Sequence, residues 1–72
     1  MDKYMIYRDL IASAGEDNHF AKAVTPFSDK YCEDYIRTFK ELESEGKITL
    51  EECRVQETKW DRIIKVKGTI KY

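Results

Sequence analysis

Seventy-two residues make one domain, near the lower limit at which a chain can bury a core of its own. With 42% hydrophobic and 12% aromatic residues the chain is too apolar to remain disordered. Thirteen basic and 14 acidic side chains leave a formal charge of −1, which excludes the broad positive field of an indiscriminate nucleic-acid binder. A core this small gains from a bound partner or a second copy, so a homodimer is one expected state.

Lys3 to Ala14 reads as a first helix, with Tyr7, Leu10, Ile11 and Ala14 on one stripe and Tyr4, Met5 and Ile6 widening it. Asp2 is placed to cap its start and Gly15 to stop it. After the polar turn Glu16-Asp17-Asn18, the spacing of Phe20, Ala23 and Val24 predicts a short second helix over His19 to Val24, with Asn18 as its cap. Pro26 disfavours the helical conformation at Thr25 and should end that helix there.

The stretch Ser28 to Gly46 predicts the longest helix. Cys32, Tyr35, Ile36, Phe39 and Leu42 recur at steps of three and four, the spacing of one helical face. The Ser28 hydroxyl can accept from an early N–H that lacks an intrahelical partner, and Gly46 can adopt the positive φ that closes many helices. A start at Thr25, with Pro26 in the first turn, is the alternative.

Near the end of the chain Ile64, Val66, Ile70 and Tyr72 alternate with Lys65, Lys67, Thr69 and Lys71. This period of two predicts a strand with one oily and one cationic face, and Gly68 in the apolar register points to a bulge or a close backbone approach. The strand needs a partner, expected between Ile48 and Lys59. Ile48 and Leu50 share one register while Cys53 and Val55 share the other, so a strand there requires a bulge near Glu51-Glu52. A helix is the competing reading of residues 49–60, because Thr49-Leu50-Glu51-Glu52 fits a capping box and Leu50, Cys53, Trp60 and Ile64 sit near helical spacing. The predicted class is therefore α+β, three helices followed by a C-terminal β-hairpin.

Charge is polarised along the chain. Ser28 to Gly46 holds three basic and six acidic residues, whereas Arg62 to Tyr72 holds Arg62, Lys65, Lys67 and Lys71 with no acid. Two cysteines, Cys32 and Cys53, are too few for a disulfide framework, and Cys32 on the apolar helix face is expected to pack as a small hydrophobe. His19, Cys32 and Cys53 match no zinc spacing, and no Gly-rich phosphate loop or nucleophile elbow is present. The expectation is a protein without cofactor or catalytic centre. The sequence shows no signal-peptide core and no apolar run of membrane length, so the cytoplasm is the expected compartment.

The run from Tyr35 to Ile48, Y-I-R-T-F-K-E-L-E-S-E-G-K-I, resembles the end of the second helix of a winged helix-turn-helix domain leading into its wing. In size and style the chain is similar to small products of phages and other mobile elements. The resemblance implies a winged-helix-like fold and a DNA-binding regulator or accessory factor, with that helix in the major groove and the wing on the backbone. Carried onto this sequence, it implies that Lys30, Arg37 and Thr38 of the helix and Arg62, Lys65, Lys67 and Lys71 of the wing meet double-stranded DNA. Asp29, Glu33 and Asp34 depart from the pattern, since a carboxylate repels phosphate. That departure motivates the alternative, a protein-interaction module or inhibitor that presents Asp29, Glu33, Asp34 and Glu41 to a basic partner surface. Lysines on a strand face can also serve only to discourage edge-to-edge pairing. Trp60 and Tyr72 could stack on bases, although large aromatics beside a strand more often belong to a core or an interface.

Overall fold

A computed structural model describes residues 2–71. The elements in order are α1 (Lys3–Ser13), β1 (His19–Val24), α2 (Asp29–Ser44), β2 (Ile48–Glu57) and β3 (Arg62–Ile70). The three strands form one antiparallel sheet in the order β1-β3-β2, so the last strand lies at the centre. The chain is an α+β protein with two helices rather than the three expected. The predicted alternation through Tyr72 ends outside the described residues.

Both helices form where their caps and apolar spacing place them. The Asp2 carboxylate accepts from the Tyr4 N–H at 2.9 Å, and Ser28 Oγ accepts from the Tyr31 N–H at 3.3 Å. Ser28 rather than Thr25 is thus the cap of α2. At its other end Gly46 has φ 78°, the Gly46 N–H donates to Glu43 O, and the Lys47 N–H donates to Leu42 O. This paired closure satisfies two terminal carbonyls and turns the chain directly into β2.

The expected helix over His19 to Val24 is corrected to a strand. Asn18 does not cap it: its φ of 63° puts it in the left-handed region, and it closes a turn in which its N–H donates to Gly15 O. A six-residue segment carries too few turns to hold a helix alone, while β3 offers it a full ladder from Thr69 to Ile64. Phe20 and Val24 then point inward together with Lys22, whose ammonium lies 4.0 Å from Asp9 on α1.

Residues 48–57 form a strand, and the register shifts between Leu50 and Glu52, so the bulge falls where the change of apolar parity requires it. Along β3, Ile64, Val66, Gly68 and Ile70 are buried. They pack with Ile6 and Leu10 of α1, Phe20, Ile48, and Cys32, Phe39 and Leu42 of α2 in one core. Gly68 answers a close approach, for a Cβ there would stand 1.9 Å from Thr49 O and 2.9 Å from Phe20 Cζ. Both helices pack against this one face, and the other face of the sheet is left open. Cys53 is partly buried beside α2, and burial pushes its thiol above the ordinary pKa, with Lys40 opposing and Glu43 adding to the effect. Among the described residues no helix is long and apolar enough to cross a membrane.

Candidate nucleic-acid interface

Strand periodicity builds the open face. Because side chains alternate, burial of Ile64, Val66 and Ile70 turns Ile63, Lys65, Lys67 and Thr69 to the opposite side, with Lys71 continuing the register. Cross-strand pairing fixes their neighbours. Lys65 lies between Ala23 and Arg54, Lys67 between Ala21 and Glu52, and Thr69 between His19 and Thr49. Ala21 and Ala23 are short, so the two lysines and Arg54 stand above a low floor.

Few carboxylates answer these cations. Glu52 accepts from Arg54 Nε and lies 3.8 Å from Lys67 Nζ. Lys65 and Lys71 have no ion pair among the described residues. His19 sits at the end of the face with Nδ1 3.1 Å from Asp17 and Nε2 3.7 Å from Glu51. The His19 backbone N–H, with lesser help from its ring, holds the Asp17 carboxyl below the ordinary range.

The other residues expected at a DNA contact lie elsewhere. Arg62 falls in the even register with Ile64, facing the helices, and is held 2.6 Å from Asp29 and 3.2 Å from Glu57. It joins the hairpin to the start of α2 instead of extending the lysine row. Thr38 is buried, and its hydroxyl donates to Asp34 O at 2.7 Å, so it faces the core. Lys30 is exposed on the first turn of α2. Arg37 is also exposed but paired with Asp34 at 2.7 Å.

These pairs divide the acidic set as well. Asp29 and Asp34 are engaged by Arg62 and Arg37. Glu33 and Glu41 remain exposed, interleaved with Ile36, Arg37 and Lys40 around a shallow depression of about 480 Å³. The face is mixed in charge, not uniformly acidic.

A second surface lies at the tip of the β2–β3 hairpin, where it meets the connection between β1 and α2. Phe27 is 99% exposed and Trp60 82% exposed, and both line one groove of about 340 Å³ whose charged walls are Asp29, Glu57, Asp61, Lys59 and Arg62. The tip is fastened by its own hydrogen bonds. Thr58 Oγ1 accepts from the Asp61 N–H at 2.9 Å and from the Trp60 N–H at 3.3 Å, while the Thr58 N–H donates to Asp61 O at 2.7 Å. Lys59 Nζ lies 5.3 Å from the Trp60 ring centre.

Sequence reasoning missed Arg54 and Phe27. Arg54 was legible, because once a bulge is placed at Glu51-Glu52 the parity of β2 puts residue 54 opposite Lys65 on the open face. Phe27 carries no pattern, since it stands alone between Pro26 and the Ser28 cap. No protein-family model matches this chain, nor does any curated protein or solved structure match it.

Proposed function

We propose that this chain is a small winged-helix-like DNA-binding protein, a regulator or accessory factor, that holds duplex phosphates with the open face of its sheet. One observation carries the reading: Lys65, Lys67 and Arg54 are neighbours on a face edged by Ala21 and Ala23, and among the described residues Glu52 is the one carboxylate paired with them. Such a cluster neutralises phosphates and releases condensed counterions, which gives affinity without sequence selection. The long helix leading through Gly46 into a hairpin supports the winged-helix likeness. The strand in place of a second helix departs from it, and shifts the contact from a helix pair to the sheet.

The protein-interaction reading through the acidic helix has less behind it. Asp29 and Asp34 are already paired within the chain, and Glu33 and Glu41 alternate with cations. The two readings separate in a fluorescence-anisotropy titration of labelled duplex DNA at low salt. Binding should be lost in Lys65→Glu with Lys67→Glu and kept in Glu33→Lys with Glu41→Lys. Absence of binding by the unaltered protein at low ionic strength rejects the proposal.

A further inference from the structure

We infer that the groove between Phe27 and Trp60 receives a single unstacked nucleobase bearing amino donors, with guanine the best fit. The inference rests on the nucleic-acid reading above and adds to it a site that touches bases. An aromatic ring that is almost wholly in water loses hydration cost when a flat partner covers it, and a nucleobase has a π-face to offer whatever its identity. Phe27 and Trp60, on two different segments, offer such rings at one groove. The hydrogen-bonded turn from Thr58 to Asp61 fixes the backbone at Trp60 before any ligand arrives, which lowers the ordering needed on binding, and Lys59 Nζ lies 5.3 Å from the ring centre.

The lining of the groove separates a base from a phosphate. Three carboxylates, Asp29, Glu57 and Asp61, outnumber the two cations of the lining, Lys59 and Arg62; Arg62 is taken up by Asp29 and Glu57, while Asp61 has no ion pair among the described residues. Carboxylates repel a phosphate but accept from the amino groups of a base edge. Guanine presents two adjacent donors, N1–H and the N2 amino group, that match the two oxygens of one carboxylate. Thymine presents a single N–H between two carbonyls and fits poorly. The volume, about 340 Å³, lies within the range of small-ligand sites. Phosphates then fall to the lysines of the open face and a base to the tip, a division of labour found where single strands are bound.

Trp60 is the only tryptophan, so its emission reports on the groove directly. The probes are a short thymidine homopolymer, the same strand with one central guanine, and a blunt duplex of matching sequence. The guanine-bearing strand should quench Trp60 and bind more tightly than the homopolymer. Trp60→Ala and Phe27→Ala should each weaken that strand about tenfold or more while leaving duplex affinity unchanged. Both rings are exposed, so neither change endangers the fold. Duplex binding with no quenching by either strand, or with no effect of the two alanine variants, overturns the base site and leaves the sheet-face reading standing. Failure to bind any of the three probes overturns both.

Discussion

The carbonyl of Thr49 crosses directly over Gly68: a methyl group at residue 68 would stand 1.9 Å from that oxygen. The contact sits inside the β2–β3 ladder, one step from the bulge, with Phe20 closing the other side. Gly68→Ala must therefore displace backbone, not the flexible end of a side chain. Its expected cost is about 2–3 kcal/mol, a large share of the stability of a domain this small. Urea denaturation followed by circular dichroism measures it, and an unchanged midpoint would contradict the packing.

Arg62 is bound to Asp29 and Glu57 on the helix side of the sheet, whereas Lys65 and Lys67 stand on the open side. Arg62→Gln should change duplex affinity little, because its guanidinium already has two carboxylates. Its effect should appear in hydrogen exchange, with faster exchange of amides 58–61 as the hairpin tip loosens from α2. Lys65→Gln with Lys67→Gln should flatten the dependence of log affinity on log salt by about 2, close to one for each phosphate left without its lysine.

Lys3 bonds Glu45 and thereby clasps the start of α1 to the end of α2. The bond holds the Glu45 carboxyl below its ordinary range and raises the Lys3 ammonium above its own. A depressed carboxyl stabilises the fold above its unfolded pKa and loses that contribution as pH falls through the folded value. A raised ammonium stabilises below its unfolded pKa and loses its share as pH rises through the folded value. The clasp should thus hold across neutral pH and weaken on the acid side below about pH 4 and on the alkaline side only above about pH 10.5. Asp17, held low by His19, adds to the acid-side loss. Thermal melts across pH should show both shoulders, and Glu45→Gln should remove the clasp's share of each.

Capping a helix is equally measurable. Ser28→Ala removes the oxygen that receives the Tyr31 N–H and should cost about 1 kcal/mol. Thr25→Ala should cost far less, since Thr25 lies outside α2. Equal losses would place the helix start elsewhere.

Much of this architecture was legible because local signals agreed. In α2 the apolar spacing, the Ser28 cap and the Gly46 closure all name the same boundaries, and the change of parity after Leu50 names the bulge. The segment 19–24 misled for a physical reason. Its inward set is Phe20, Lys22 and Val24, and a lysine reaching inward to Asp9 hides the alternation that marks a strand. Thr38 could have been placed correctly, since it lies three residues after Tyr35 and four before Leu42, both on the packed side. The place of Arg62 opposite Asp29 is a long-range outcome of the fold that no local pattern announces.

The central claim is that the open face of the sheet meets nucleic acid, and amide chemical-shift mapping during titration with a short duplex measures that surface residue by residue. Perturbations should concentrate at Lys65, Lys67, Thr69 and Lys71 of the open face and at Ala21, Ala23 and Arg54 beside them. Perturbations centred on Glu33, Ile36, Arg37 and Lys40 of α2, with the open face silent, would contradict it.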